Sequence, residues 1–161
     1  MTQQIEKAVI IHAAPHTVWN ALTSPGLIRQ WMGEPEMNIT VVTDWRVGQP
    51  VVISGFHHAT FENRGTVLQF EPESVLQYDY ISSLSRLPDI PENRTSLTFM
   101  LTPQGNQTLL TLRLGNFPTE TIFRHVDFYW RGTLMVLKKF VEENGPETIP
   151  SATSASITQT S

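Results

Sequence analysis

The stretch TETIFRHVDFYWRGTLMVLKKFVEENGP, residues 119–146, decides the architecture. Phe123, Asp127, Trp130, Leu134, Leu137 and Val141 recur in it at alternating spacings of four and three. That periodicity draws one stripe along a helix of roughly six turns. Thr119 or Thr121 can cap its start, and Gly145-Pro146 is expected to stop it. Lys138, Lys139, Glu142 and Glu143 cover the opposite face near its end. A helix with one apolar stripe must bury that stripe against another layer.

The layer lies upstream. Ile5–His12 is rich in Ile and Val and reads as a strand. Ala13-Ala14-Pro15 breaks it, and Pro15 suits the first turn of a helix, where its missing N–H costs nothing. Val18, Trp19 and Leu22 follow helical spacing, Ser24-Pro25-Gly26 interrupts, and Leu27, Ile28 and Trp31 predict a second short helix ending near Gly33. From Met37 to Leu114 the period is mostly two, over Met37–Thr43, Pro50–Phe56, Gly65–Glu71, Val75–Ser82, Thr95–Thr102 and Thr108–Leu114. Pro103 to Gln107 reads as a five-residue hairpin loop. The two prolines of residues 87–93 exclude a strand interior there. The order is strand, two short helices, six strands, long helix. Adjacent strands imply an antiparallel sheet, and the class is α+β. A strongly curved sheet around one helix leaves a gap that side chains need not fill.

Alternation sorts the strand faces. Leu68 with Phe70, Tyr78 with Tyr80, Leu97 with Phe99 and Leu101, and Leu110 with Leu112 and Leu114 are expected to face the long helix. The boundaries are one domain over 1–144 and a Ser/Thr-rich tail over 145–161, whose few apolar residues predict disorder.

The 161 residues suffice for one well-buried core. A formal net charge of −4 makes a poor partner for nucleic acid. The absence of cysteine excludes disulfides, thiolate chemistry and cysteine-ligated zinc. No apolar run is long enough to cross a bilayer, and the polar start, Met1 to Lys7, has no signal-peptide core. A cytoplasmic protein is expected.

One block is more specific. Ala14-Pro15-His16-Thr17-Val18-Trp19-Asn20-Ala21-Leu22-Thr23 resembles the signature that follows the first strand in the START-like (SRPBCC) superfamily. Trp31 matches a tryptophan after the second short helix, Gly48 and Gly65 match glycines entering two strands, and Trp130, Leu134 and Leu137 resemble the final helix's aromatic-plus-Leu pattern. The resemblance runs from about Ile5 to Glu143. It is greatest to the branch named for the activator of heat-shock-protein-90 ATPase. The chain departs from that branch in having Gly48 after Val47 where paired glycines are common, Gly105-Asn106-Gln107-Thr108 where Gly-Thr is common, and Tyr129 before Trp130. The resemblance implies the helix-grip fold, a curved antiparallel sheet of about seven strands around a C-terminal helix. Superfamily members bind or transfer lipids, carry polyketide-like or hormone-like ligands, or catalyse cyclisation, and the fold alone does not choose among these.

The candidate cavity lining is Trp31, Phe70, Tyr78, Tyr80, Phe99, Leu112, Asp127, Trp130 and Leu134. Most of these are equally well read as ordinary core. The tyrosines favour a cavity because a buried hydroxyl needs a partner that a ligand can supply. Asp127 interrupts an apolar stripe. Burying it unpaired is costly, so it is solvated near the helix start, paired with Arg113 or Arg124, or an anchor at a cavity mouth. Trp31 is placed at a cavity rim. His57-His58 would point to opposite strand faces, and no His-x-x-x-His or Glu-x-x-His spacing exists, so no metal or other cofactor is expected. Nor is there a Gly-x-Ser-x-Gly elbow or a phosphate-binding glycine loop. The first reading is therefore a carrier or sensor of a hydrophobic or amphipathic small molecule. The second is a cyclase- or hydrolase-type enzyme using Asp127, a tyrosine or His57. The third is a protein-interaction module, chaperone-associated by analogy with the branch name, and a homodimer is compatible with each.

Overall fold

The computed structural model describes residues 3–148. The tail expected from residue 145 lies, from 149 on, outside the described residues. The elements are β1 (Ile5–Ile11), α1 (Pro15–Thr23), α2 (Pro25–Trp31), β2 (Thr40–Thr43), β3 (Pro50–His57), β4 (Ala59–Glu71), β5 (Val75–Ser82), β6 (Thr95–Gln104), β7 (Gln107–Gly115) and α3 (Glu120–Thr148). The seven strands form one antiparallel sheet in the order β1-β7-β6-β5-β4-β3-β2. The two short helices bridge the sheet's edges, and α3 lies across its inner face.

Local chemistry explains the helix ends. Pro15 and Pro25 open α1 and α2, where the missing N–H removes a group that would be unsatisfied anyway. Of the two capping threonines it is Thr119 that acts, its Oγ1 accepting from the Ile122 N–H at 3.1 Å. Helical geometry breaks at Gly145, with φ 60 and ψ −166. Val126, Trp130, Leu134, Leu137 and Val141 are the buried stripe of α3. Asp127 lies on its flank, and Val126 takes the buried place.

Three expectations are corrected. Residues 35–37 form a turn of 3-10 helix, Asn38 is left-handed, and β2 begins only at Thr40, because Pro35 supplies no ladder N–H. The β6–β7 loop is two residues rather than five: Gln104 pairs with Gln107, and Gly105 at φ +63 supplies the first corner, as a primed hairpin turn requires. Leu68 is 41% exposed while Val67 is fully buried. Register shifts between Val67, opposite Tyr78, and Gln69, opposite Gln77. This bulge turns Val67 and Phe70 to the same face and reverses Leu68.

A second irregularity sits two residues earlier. A Cβ on Gly65 would come within 1.7 Å of the Asp79 carbonyl oxygen, so only glycine fits there. The neighbouring Thr66 N–H bonds the Asp79 carboxylate at 2.9 Å instead of a strand carbonyl. Arg94 locks the arrangement, reaching Asp79 Oδ1 at 3.1 Å, Thr66 Oγ1 at 3.0 Å and Asp89 Oδ1 at 2.7 Å. These bonds hold Asp89 below the usual carboxylate range. Glycine and bulge together bend β4 and β5 around the helix.

Candidate functional site

Two sheet halves meet α3 differently. On β6 and β7, Leu97, Phe99, Leu101, Leu110, Leu112 and Leu114 are all buried. On β4 and β5 the inward residues are mainly aromatic. Phe70 packs edge-on to Trp19 at 5.2 Å between ring centroids and stacks on Trp45 at 5.9 Å. Trp45 also lies 6.2 Å from Tyr78, and Tyr78 lies 6.4 Å from Tyr80. From the helix side, Trp130 meets Phe99 at 5.8 Å, Trp31 at 6.2 Å and Tyr129 at 5.2 Å.

The tyrosine hydroxyls distinguish the two groups. That of Tyr129 donates to the Met32 carbonyl oxygen and is also bonded by Thr133. Those of Tyr78 and Tyr80 have no hydrogen-bond partner among the described residues. The one side-chain polar atom that is both sealed and unpartnered there is Thr17 Oγ1, so the two tyrosine hydroxyls each reach accessible space. Tyr78 is nonetheless only 5% exposed. Burial, then the neighbouring Tyr80 and Tyr129, pushes the Tyr78 hydroxyl far above the usual tyrosine range. Burial, then Tyr129, does the same to Tyr80, and burial does so to Tyr129. All three stay neutral across the physiological range and act as O–H donors.

The other anticipated residues fall as follows. Phe99, Leu112, Trp130 and Leu134 are buried between sheet and helix. Trp31 is not at a rim: it is 2% exposed, and its indole N–H donates to the Ala21 carbonyl at 2.9 Å. The seven-residue α2 turns both Ile28 and Trp31 inward. Asp127 pairs with neither Arg113 nor Arg124, which bond Glu6 and Glu120. Its partners are Lys7 on β1 at 3.0 Å and Arg131 one turn on at 2.7 Å. The Lys7 bond, the largest effect, together with the Arg131 bond holds its carboxyl below the usual range against desolvation. His57 is exposed beside His58 on the β3–β4 turn, far in strand order from the β1 edge that holds Asp127. Asp127 and His57 therefore sit on different parts of the molecule. Among the described residues no group of three acidic or histidine side chains could hold a metal ion, and no helix is long and apolar enough to cross a membrane.

Trp45 and Tyr129 escaped the sequence reading. Trp45 stands in a loop without periodicity and adopts φ +57, an uncommon conformation for so large a residue. It is held by an indole bond to the Thr23 carbonyl at 2.7 Å and by its own N–H on Thr43 Oγ1 at 3.0 Å. Tyr129 lies one position off the apolar stripe, and its only signal was its adjacency to Trp130. Two surface clefts, of ≈ 290 Å³ along Arg29, Gly33 and Ile39 and ≈ 190 Å³ along Arg64, Ser82 and Leu87, do not include the tyrosines. We place the candidate site at the tyrosines because there unpartnered donors meet aromatic side chains.

A seven-stranded antiparallel sheet gripping one long helix, with two short helices after the first strand, defines the helix-grip class. Residues 12–142 match the family described as activator of Hsp90 ATPase homolog 1-like protein, and the chain belongs to that family. The solution structure of a Cytophaga hutchinsonii protein is 34% identical with a TM-score of 0.73, covering 89% of this chain and 97% of its own. A crystal structure from Chromobacterium violaceum is similar in fold at 20% identity and TM-score 0.75, covering 86% and 96%. The solution structure of an Aha1 dimer from Colwellia psychrerythraea is similar at 20% and 0.68, covering 87% and 96%. No functionally curated protein matches the chain.

Proposed function

We propose that the protein binds a hydrophobic or amphipathic small molecule between the curved half of its sheet and α3, as a carrier or sensor. The observation that carries this reading is the pair of unpartnered hydroxyls, Tyr78 and Tyr80, with Tyr78 packed on Trp45, which itself stacks on Phe70. A hydroxyl with little access to water and no protein partner gains a net hydrogen bond of about 1 kcal/mol when a bound molecule accepts from it. Native mass spectrometry of gently purified protein, followed by extraction and identification of what is released, tests the reading. A near-stoichiometric hydrophobic molecule is expected. A chain that arrives empty and binds nothing in a screen of fluorescent apolar probes would refute it.

A second reading, self-association, has its own support. Phe128 is 74% exposed on the outer face of α3, with Met135 and Val136 both about two turns further on. The Colwellia relative is described as a dimer. A homodimer through this face predicts a twofold drop in sedimenting mass for the double substitution Phe128→Asp with Met135→Asp. An unchanged mass removes the face from consideration.

A further inference from the structure

We infer that the surface cleft between α2 and the turn before β2 binds a small zwitterion, an α-amino acid with an apolar side chain. This site is separate from the tyrosines and does not depend on them. The first observation is charge left over. Eight of the chain's 11 Lys and Arg side chains pair with a carboxylate. Among the described residues Arg29, Arg46 and Arg86 do not, and of these three it is Arg29 that lines the cleft of ≈ 290 Å³. Glu34 lines the same cleft. Its carboxylate has no ion-pair partner among the described residues either, and it caps nothing although Glu34 stands at the N-cap of the 35–37 turn. A cation and an anion thus share one cleft without bonding each other. Elsewhere in the chain such neighbours close on each other, as Arg124 does on Glu120 and Lys138 on Glu142.

The chain between the two charges is held from behind, which limits their approach. Trp31 is buried and its indole N–H is bonded to the Ala21 carbonyl. The Met32 carbonyl takes the Tyr129 hydroxyl. Gly33 lies so close to the next segment that a Cβ would stand 2.7 Å from Met37 Sδ and 3.3 Å from Ile39 Cγ1. Arg29 leaves the last turn of α2, and Glu34 precedes Pro35, whose ring fixes the start of the 3-10 turn. Two charges fixed apart on a rigid frame are preorganised for a ligand that carries both opposite charges. The planar Arg29 guanidinium suits a carboxylate, which it meets with two parallel N–H donors. The Glu34 carboxylate suits an ammonium, and Gln30, whose Nε2 is bonded to the Gly26 carbonyl, offers its amide oxygen to the same group. Pro35 and Ile39 complete the lining as apolar surface for an aliphatic side chain. The volume falls just under the roughly 300–1,000 Å³ of drug-sized sites, which suits a molecule of amino-acid size.

Matched probes test this, titrated into the full chain with backbone amide NMR shifts as readout. L-Leucine is expected to give saturable shifts centred on residues 29–39, with a dissociation constant of about 1 mM. N-Acetyl-L-leucine lacks the ammonium and L-leucine methyl ester lacks the carboxylate. Each should bind about tenfold more weakly, the size of one hydrogen bond to a charged group. Glycine, without the side chain, should also bind about tenfold more weakly. Arg29→Gln and Glu34→Gln are each expected to weaken L-leucine about tenfold, with spectra otherwise superimposable on wild type as the check that the fold is kept. No saturable shift at about 50 mM L-leucine, or shifts centred on Tyr78 and Tyr80 instead, overturns the site. Unchanged affinity in either variant overturns the pairing assigned to that residue. Either blocked leucine binding as tightly as L-leucine overturns the zwitterion, and glycine doing so overturns the apolar surface.

Discussion

The β6–β7 half of the sheet and the β4–β5 half face the same helix, yet one is aliphatic core and the other carries the candidate site. Along β6 and β7 the register is unbroken, and Leu97, Phe99, Leu101, Leu110, Leu112 and Leu114 alternate as buried residues. Along β4 the register slips, Gly65 lets two backbones touch, and the facing β5 contributes Tyr78 and Tyr80, rings with polar tips. Regular pairing puts aliphatic side chains at even spacing, and these interdigitate to native density.

The comparison can be broken most forcefully at Gly65. Gly65→Ala should cost more than about 4 kcal/mol and abolish cooperative unfolding, because the clash is with backbone rather than a movable side chain. A chemical denaturation curve close to wild type would mean that β4 and β5 do not approach as described. In the regular half, Leu112→Ala is expected to cost about 3 kcal/mol by transfer and cavity terms, read from the same curves.

Within the irregular half the tyrosines should divide. Tyr129→Phe leaves the Met32 carbonyl unpaired and should cost about 1 kcal/mol. Tyr78→Phe removes a hydroxyl with no protein partner and should be neutral or slightly stabilising. If both cost the same, Tyr78 has a partner in the ligand-free protein and the candidate site loses its foundation.

The smallest effect is expected where α3 crosses to β1. The Asp127 ion pairs are partly exposed, so Asp127→Asn should cost about 0.5 kcal/mol at neutral pH. Because Asp127's folded pKa is depressed, its contribution is fully present above the unfolded value and fades as pH falls through the folded one. The gap between wild type and variant should therefore be flat above about pH 5 and close below about pH 4. A gap that widens in acid would contradict the assignment.

Much of this molecule is determined by short-range pattern. The stripe Trp130, Leu134, Leu137 and Val141, the prolines at 15 and 25, and the period-two leucines of β6 and β7 each specify their element by local sterics and amphipathicity, so they are legible without the fold. The inward placement of Val67, the partners of Asp127, the left-handed Trp45 and the convergence of Tyr129 with Tyr78 and Tyr80 were decided only in three dimensions. A bulge shifts faces without a sequence signature of its own, and ion-pair partners depend on which strand edge the helix meets. A loop tryptophan takes an uncommon conformation only when the walls around it hold it there. The aromatic character of the site was written in the chain, but which hydroxyls were left unpartnered depended on how the sheet bent.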